Sequence, residues 1–273
     1  MITIDFTKMV AVGNDFVIID NRDKRLESFA GDISKIARFL CMRKRSVGAD
    51  GLLLLERSSS ADIRMRIFNP DGTEVSMCGN GSRCIAYYAA DKKITQKKFS
   101  IETEAGILGA EVLGKAAKIE MTAPKGLRIG IDLEIGGNAH KVNFVDTGVP
   151  HVVTIADDID MIDVKTFGSQ IRYHKEFAPL GTNANFVQIN NRNNISVRTY
   201  ERGVEDETLA CGTGATASAI IASELGHVKS PIKVKTSGGD ALYIYFDKKG
   251  SQYRDVFLEG EVEIAYEGSV NYV

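Results

Sequence analysis

NPDGTEVSMCGNGSRC (residues 69–84) and ERGVEDETLACGTGATA (residues 201–217) are the stretches most informative about the fold, because each places a cysteine and a glycine-rich turn before an apolar run. Residues 84–90 and 215–222 are apolar or small all round, which predicts two helices buried on every side. Gly226 is predicted to end the second helix. In a chain otherwise rich in short strands, this pattern predicts a helix enclosed by curved sheet, once in each half.

The two stretches belong to a longer internal repeat. Residues 63–69 align with residues 195–201, and the second copy then has a turn one residue longer. After that turn the aligned pairs are Glu74 with Glu207, Cys78 with Cys211 and Gly79 with Gly212. We therefore predict an α+β fold of two pseudo-symmetric lobes, each a curved, mostly antiparallel β-sheet or barrel around a central buried helix. The predicted lobes are residues 1–118, completed by a C-terminal strand at 264–273, and residues 119–263.

The rest of the chain predicts strands and one ordinary surface helix. Residues 32–41 place apolar side chains on one helical face behind Asp32, a favourable N-cap residue. Alternating or apolar runs bounded by Gly, Asn and Asp predict strands. These runs are residues 16–20, 63–68, 99–103, 142–145, 194–200, 232–234, 242–246 and 262–265.

The composition argues against several classes of partner. The 273 residues carry 34 Lys and Arg against 36 Asp and Glu, so the chain lacks the basic footprint that nucleic acid requires. Its longest aliphatic run, residues 52–55, is too short to cross a membrane, and residues 1–10 do not form a signal peptide. The four cysteines and four histidines have no metal-ligand spacing. We expect a cytoplasmic protein with no metal, nucleic-acid or membrane partner.

Cys78 and Cys211 are the candidate reactive groups. Each precedes a glycine-rich turn that opens a helix, where unpaired N–H groups and the helix dipole stabilise a thiolate. The same N–H groups can bind a carboxylate. Cys41 lies on the apolar face of the predicted surface helix and Cys84 lies in the first buried helix, and we expect both to be core residues.

Two thiols related by an internal repeat suit the inversion of an α-amino acid. With one sulfur on each face of the α-carbon, a thiolate removes the proton from one face while the other thiol returns one to the opposite face. Helix N-termini aimed at the carboxylate stabilise the charge that develops as the proton leaves. Such a reaction needs no cofactor.

In its motifs the sequence resembles the diaminopimelate epimerase family, the pyridoxal-independent epimerases of bacterial and plant lysine biosynthesis. The motifs cover nearly the whole chain in order: GNDF (13–16), GADG (48–51), NPDGTE, CGNGSRC, GVPH (148–151), TN (182–183) and ERGVEDETLACGTGA. Two departures are Val149, where the family usually has Asn, and one extra residue between Arg202 and Cys211.

The resemblance implies an isomerase that interconverts LL- and meso-2,6-diaminopimelate, for lysine and peptidoglycan-precursor biosynthesis, with Cys78 and Cys211 as acid and base. It implies no cofactor, a small amino acid as the partner and a homodimer. In this reading the residues at the helix starts hold the reacting carboxylate. The distal end of the substrate is bound by Arg202 with three asparagines, Asn14, Asn69 and Asn183, and Glu201 helps to orient its amino group. His151 and Glu201 also match positions that the family uses to assist the thiols or to order the reacting amine. The implied substrate-binding residues are Asn14, Asn69, Gly79, Asn80, His151, Asn183, Glu201, Arg202, Gly212 and Thr213.

Two other functions stay open at this point. A proline or hydroxyproline racemase would use the same two-thiol chemistry, but it gives no reason for a distal anion site at Arg202. A non-catalytic protein that closes on an amino acid would share the binding residues without the reaction. Comparing the turnover of diaminopimelate with that of proline distinguishes the epimerase from the racemase. Exchange of the substrate α-proton distinguishes either enzyme from a binding protein.

Overall fold

The computed structural model describes residues 2–250 and 252–272, and tertiary contacts divide them into two compact units. Unit 1 comprises residues 2–120 and 259–272, and unit 2 comprises residues 121–250 and 252–258. Residues 1 and 273 of the predicted first lobe and residue 251 of the predicted second lobe lie outside the described residues.

Unit 1 contains the first eleven helices and strands of the chain and its last strand. They are β1 (Ile2–Ala11), β2 (Asn14–Asp20), α1 (Arg25–Ala30), α2 (Ile33–Cys41), β3 (Gly51–Glu56), β4 (Ile63–Phe68), β5 (Glu74–Val75), α3 (Gly79–Asp91), β6 (Lys98–Thr103), β7 (Gly106–Leu113), β8 (Ala116–Glu120) and β18 (Glu263–Tyr272).

Unit 2 contains the elements between them, and its last strand crosses the unit boundary. They are β9 (Lys125–Ile135), β10 (Asn138–Asp146), β11 (Pro150–Ile155), α4 (Val164–Arg172), a 3-10 turn (Lys175–Phe177), β12 (Asn183–Asn191), β13 (Asn194–Glu201), β14 (Asp206–Thr208), α5 (Gly212–Glu224), β15 (Ile232–Lys235), β16 (Ala241–Lys249) and β17 (Gln252–Glu261).

The same strand pairing occurs in both units. In unit 1 the antiparallel pairs are β1–β2, β3–β4, β4–β5 and β6–β7, and the parallel pairs are β2–β3 and β4–β6. In unit 2 the corresponding antiparallel pairs are β10–β11, β12–β13, β13–β14 and β15–β16, and the parallel pairs are β11–β12 and β13–β15. A further antiparallel strand flanks each first strand, β18 beside β1 and β9 beside β10. The α+β, mostly antiparallel fold predicted from the sequence is confirmed, and the repeat extends well beyond the cysteine loops.

A buried helix of 13 residues packs inside the strands of each unit. Helix α3 contacts β1–β4, β7 and β8, and α5 contacts the corresponding strands β10–β13 and β16, together with β15. The predicted segment 215–222 is buried throughout, and in segment 84–90 all side chains are buried except Tyr87 and Ala90, which are partly so. Small and apolar side chains on every side allow strands to cover the whole circumference of each helix.

Helix α5 ends at Glu224 with Leu225 as its C-cap, and the predicted terminator Gly226 follows directly after the cap. The Gly226 N–H donates to Ser223 O (3.0 Å) and the His227 N–H donates to Ala222 O (2.9 Å), the paired bonds of a Schellman motif. Gly226 has a φ of +81°, a left-handed conformation that glycine adopts without a Cβ penalty.

The outer face of the unit 1 sheet carries α2. Asp32 caps this helix by accepting from Ser34 N at 3.0 Å, and the apolar face that the sequence predicts is buried. Strand β3 is buried on both faces, so Leu53 and Leu55 join the core around α3 while Leu52 and Leu54 join the core under α2.

Most predicted strands lie within observed ones, but the strand predicted at residues 262–265 is wrong at its start. Strand β17 ends at Glu261 and β18 begins at Glu263, and Val262 lies between them. Val262 is buried, and its N–H donates to Lys115 O at 3.1 Å. The alternation of apolar residues runs across this break, so the pattern alone does not reveal it.

Candidate active site

Cys78 is the N-cap residue of α3. Its backbone is extended, with φ −148° and ψ 120°, and Sγ accepts from the Gly81 N–H at 3.5 Å. A Cβ on Gly81 would lie 3.1 Å from Leu53 and 3.3 Å from Ile67, so glycine lets the helix start press against β3 and β4. The half-buried thiol is therefore held at a helix N-terminus, where backbone N–H groups and the helix dipole favour negative charge.

A chain of hydrogen bonds runs from the first turns of α3 to the start of β2. Arg83 Nη2 donates to Asn80 Oδ1 (2.7 Å), and Asn80 Nδ2 donates to Asn14 Oδ1 (2.6 Å). Asn14 Nδ2 in turn donates to Asp50 Oδ2 (3.0 Å), while Arg43 Nη2 bonds the other oxygen of Asp50 (2.8 Å). The structure thus brings the predicted residues Asn14 and Asn80 together and fixes the orientation of both amides.

Asn69 lies in the turn between β4 and β5. Its backbone N–H donates to Thr73 O (2.8 Å), its carbonyl accepts from Gly72 N (2.9 Å), and its side chain donates to Thr73 Oγ1 (3.1 Å). Within the described part of the chain, Asn69 therefore bonds inside its own turn and not to Asn14 or Asn80.

A two-bonded Arg–Glu pair lies just before each cysteine. In unit 1, Arg66 Nε and Nη2 each donate to Glu74 at 2.7 Å. In unit 2, Arg198 Nε and Nη2 donate to Glu207 at 2.8 and 2.7 Å. Each pair joins the long strand to the short strand that leads into the cysteine loop, so the repeat preserves a support for the loop as well as the thiol.

Cys211 is the N-cap residue of α5 and repeats the geometry of Cys78. Its φ is −127° and its ψ 111°, and Sγ accepts from the Gly214 N–H at 3.4 Å. Thr213 Oγ1 lies 3.4 Å from the same sulfur, and the Thr213 carbonyl accepts from Thr147 Oγ1 at 3.1 Å. Gly79 and Gly212 are the first residues of their helices, so each predicted helix-start residue lies beside its thiol.

His151 on β11 is fully buried, and burial lowers its pKa to about 3, with the nearby positive charge of Arg202 adding to the effect. The ring is therefore neutral at physiological pH. Its Nδ1 lies 3.1 Å from Asn185 Nδ2. Asn185, also fully buried, was not among the predicted residues.

Asn183 connects two segments of unit 2. Its Oδ1 accepts from the Arg202 N–H (2.8 Å), and its Nδ2 donates to Pro150 O (2.9 Å). Arg202 also donates through Nη1 to Leu180 O (3.2 Å). Asn183 and His151 are register partners in the parallel β11–β12 pair, so the structure brings Asn183, Arg202 and His151 into one neighbourhood.

Glu201 ends β13, next to Arg202. Burial raises the pKa of its carboxyl group, and a hydrogen bond from Thr208 Oγ1 to Oε2 (2.9 Å) partly opposes the increase. A carboxylate in such a place can bind a positively charged group strongly, because little water competes for it.

Sequence reasoning missed Asp50, Arg83 and Asn185 as members of these clusters. Asp50 lies inside the motif GADG and Arg83 lies inside CGNGSRC, so the sequence did contain a signal that could have identified both as members of the site. Asn185 had no such signal, because its role depends on the parallel pairing of β12 with β11.

Across residues 2–250 and 252–272, no cluster of three or more His, Cys, Asp or Glu could hold a metal ion. No helix in those ranges has the length and apolar character needed to span a membrane.

Solved structures define the class of fold. A phenazine biosynthesis protein of the PhzF family from Bacillus anthracis superposes with a TM-score of 0.75 at 18% identity, covering 100% of both chains. A probable proline racemase from Agrobacterium radiobacter gives 0.68 at 13% identity, covering 99% of this chain and 93% of the other. The chain therefore has the fold shared by PhzF-type proteins and proline racemases.

Sequence comparison gives the particular family. The model of the family described as diaminopimelate epimerase matches residues 6–126 and 143–264. The diaminopimelate epimerase of Aquifex aeolicus is 43% identical, with 98% of each chain covered, and that of Hydrogenobaculum sp. is 42% identical, with 97% of this chain and 98% of the relative covered. The chain belongs to the diaminopimelate epimerase family, which confirms the resemblance seen in its motifs.

Proposed function

We propose that this chain is an isomerase that interconverts LL- and meso-2,6-diaminopimelate by a two-base thiol mechanism. The observation that carries the proposal is the repeated placement of a half-buried cysteine as the N-cap of a buried helix, with Sγ 3.5 and 3.4 Å from a backbone N–H. Full-length similarity to enzymes named diaminopimelate epimerase supports the choice of substrate.

In the proposed mechanism Cys78 and Cys211 act on opposite faces of one α-carbon. The thiolate of one removes the α-proton, and the electron pair of the broken C–H bond delocalises into the carboxylate. The thiol of the other then delivers its proton to the opposite face, so one thiol and one thiolate are present before and after the reaction. N–H groups at the helix starts, including those of Gly79, Asn80, Gly212 and Thr213, stabilise the carboxylate as charge develops on it.

The remaining predicted residues bind the rest of the substrate in this proposal. Arg202 offers a guanidinium fork to the distal carboxylate, and Glu201 accepts from an ammonium group. Asn14, Asn69 and Asn183 offer amide groups to the same end of the substrate, and His151 offers a ring nitrogen from β11. The hydrogen bonds that already hold Asn14 and Asn183 support pre-formed amide positions, which lower the entropy cost of binding.

The broader setting is also a proposal. We propose that units 1 and 2 are the two predicted lobes, because β18 pairs with β1 and so joins the C-terminal segment to the first unit. We propose a cytoplasmic homodimer that needs no cofactor and serves lysine biosynthesis. The family resemblance supports the homodimer and the pathway, and a reaction that needs only two thiols supports the absence of a cofactor.

A second candidate function is a racemase of proline or hydroxyproline. One observation favours it: a probable proline racemase and a hydroxyproline epimerase share the fold over nearly the whole chain, with TM-scores of 0.68 and 0.65. Each is only 13% identical, however, whereas the named diaminopimelate epimerases reach 43%.

Turnover and binding measured side by side test the proposal. The purified chain is incubated with LL-diaminopimelate, L-proline or trans-4-hydroxy-L-proline, and stereoisomers are separated by chromatography after derivatisation. We expect meso-diaminopimelate to form and both imino acids to stay unchanged. Racemisation of an imino acid without diaminopimelate turnover would favour the racemase. Calorimetric binding of diaminopimelate without any α-proton exchange in D₂O would favour a binding protein.

A further inference from the structure

Asn185 is a buried amide whose polar atoms all have partners. Its Nδ2 donates to Val152 O at 2.8 Å and also lies 3.1 Å from His151 Nδ1. Its Oδ1 accepts from Thr199 Oγ1 at 2.9 Å. Because a backbone carbonyl can only accept, Val152 fixes which end of the Asn185 amide is the NH₂ group.

That orientation decides where the His151 proton lies. The Asn185 NH₂ group has two hydrogens, one used by Val152 O and the other directed at His151 Nδ1. Nδ1 must therefore offer a lone pair, since two donors cannot share a hydrogen bond. A neutral imidazole with a lone pair on Nδ1 carries its proton on Nε2.

The Nε2 atom of His151 is buried and makes no hydrogen bond to any residue that the structure describes. A buried N–H without an acceptor is costly, and in an active site it marks a position for an incoming group. An Nε2–H donor suits an oxygen acceptor with negative charge, such as a substrate carboxylate.

Asn185 also touches the helix that holds Cys211. An ideal Cβ on Gly214 would lie 2.4 Å from Asn185 Oδ1, so the glycine makes room for this amide. The Gly214 N–H is the group that donates to Cys211 Sγ at 3.4 Å. One side chain therefore contacts both His151 and the turn that carries the thiol.

We propose that Asn185 is a positioning residue that holds His151 as the neutral Nε2–H tautomer, so that His151 donates a hydrogen bond to the substrate carboxylate and does not act as a base. The binding half of this inference rests on the proposed function. Burial and the charge of Arg202, which lower the pKa of His151 to about 3, agree with a ring that stays neutral. Among the described residues, Arg202 is the charged group that shifts the pKa of His151.

The wild-type protein tests the tautomer without any substrate. In protein labelled with ¹⁵N-histidine, a long-range ¹H–¹⁵N spectrum at pH 7 distinguishes a protonated from an unprotonated ring nitrogen. The chain has only four histidines, and the spectrum of His151→Gln identifies the missing signal. We expect Nδ1 of His151 to be unprotonated and Nε2 protonated, with no titration between pH 5 and 8. A protonated Nδ1 overturns the inference, whatever the enzyme turns over.

The substitution Asn185→Asp tests the role of the amide. It replaces the NH₂ donor with an acceptor of the same shape, so we expect the His151 proton to move to Nδ1 and kcat on LL-diaminopimelate to fall about tenfold to a hundredfold. Asn190→Asp is the matched control, because Asn190 is exposed near the end of the same strand. We expect the control to keep the wild-type spectrum and rate.

Two results for folded Asn185→Asp would contradict the proposal: an unchanged His151 tautomer, or a moved proton with an unchanged kcat. If this variant does not fold, Asn185→Ala replaces it, because it removes the NH₂ group that donates to His151 Nδ1. We then expect a mixture of His151 tautomers, and an unmixed wild-type pattern with a reduced rate would contradict the proposal. Absence of diaminopimelate turnover in the wild type would instead refute the proposed function and leave the tautomer assignment standing.

Discussion

Cys78 and Cys211 have nearly the same backbone setting and different polar surroundings. Each caps a helix of 13 residues, each sulfur accepts from the N–H three residues later, and each follows an Arg–Glu pair with two short hydrogen bonds. Around Cys78 the polar neighbours form a chain that begins at Arg83, a fully buried cation. In the unit of Cys211 they include His151, a fully buried ring that stays neutral.

The difference separates what the repeat conserves from what it varies. Cap, glycine turn and Arg–Glu pair recur because a thiol at a helix start needs them in either half. The amides and charged groups differ because, in the proposed reaction, one end of the substrate reacts while the other end is only bound. The two halves thus share a way to hold a thiol and differ in what else they can bind.

The largest expected effect comes from removing either thiol. Cys78→Ala and Cys211→Ala should each lower kcat for epimerisation by about 10³-fold or more, because each proton transfer needs its own group. The measurement is product formation from LL-diaminopimelate in a stereoisomer-resolved assay. Cys41→Ala is the control, because Cys41 is buried in the core under α2, where burial raises the pKa of its thiol to about 11. Near-normal activity in either active-site variant would show that one thiol suffices.

The next largest expected effect is a loss of stability at low pH, caused by the buried His151 in unit 2. The pKa of His151 is lowered in the folded state, so between about pH 6.5 and pH 3 the unfolded chain binds the extra proton and stability falls as the pH falls. The histidine contribution should amount to about 3 kcal/mol of unfolding free energy between pH 7 and pH 4.

Urea unfolding of the wild type and His151→Gln across this pH range measures that contribution. The two proteins can differ in unfolding free energy at pH 7. Between pH 7 and pH 4, the unfolding free energy of the variant should fall by about 3 kcal/mol less than that of the wild type. Parallel curves for the two proteins would mean that His151 is not held neutral in the folded state.

Breaking the Arg–Glu pairs should have a smaller and unequal effect. Glu207→Gln should cost about 1–2 kcal/mol of unfolding free energy, because it weakens a half-buried, two-bonded pair. Glu74→Gln should cost less, because Arg66 also lies 3.5 Å from the buried carboxylate of Glu56. Urea midpoints of the two variants check this order, and a larger loss for Glu74→Gln would reverse the comparison.

Alkylation shows whether each pair supports its own thiol. Iodoacetamide labelling followed by peptide mapping should show a changed rate at Cys211 in Glu207→Gln and at Cys78 in Glu74→Gln, with the other active thiol unaffected. Cys84, whose pKa burial raises to about 12, provides the unreactive reference. Equal changes at both thiols in each variant would contradict a local role.

The smallest effect concerns Glu201, which aligns with Asn69 in the repeat. Its raised pKa means that the folded state binds a proton more readily than the unfolded chain, so ionisation at neutral pH lowers stability. Glu201→Gln should therefore raise the unfolding free energy at pH 7 by about 0.5–1 kcal/mol and weaken activity. Asn69→Asp is the control, because Asn69 is the counterpart of Glu201 in the exposed polar turn of the other half. We expect it to leave the unfolding free energy nearly unchanged. A loss of stability in Glu201→Gln would contradict this account.

Local sequence signals predicted the elements on which the thiols depend. The strand predicted at residues 63–68 is β4 from end to end, and the predicted apolar face of α2 is the buried one. Short-range patterns suffice there because side-chain periodicity and helix caps act within a few residues. The positions of the two thiols relative to one substrate remain a prediction.

The sequence did not predict the contacts that depend on which strands are neighbours in the sheet. The bond between Asn80 and Asn14 joins residues far apart in the chain, and the contact between Asn185 and His151 depends on β11 and β12 being parallel neighbours. Periodicity shows which face of a strand is buried, but it does not show which strand lies beside it. The same limit explains why the full strand repeat became visible only in the structure.

Deuterium incorporation tests the central claim, that two different thiols act on the two faces of one carbon. LL-diaminopimelate is converted by the wild type in D₂O, and substrate and product are analysed by ¹H NMR and mass spectrometry at less than about a tenth of full turnover. We expect one deuterium at the inverted α-carbon of the meso product and none in the recovered LL substrate, because the group that delivers the proton is not the one that removed it. Retention of the original proton in the product, or deuterium in the recovered substrate at the same rate, would show that a single base serves both faces.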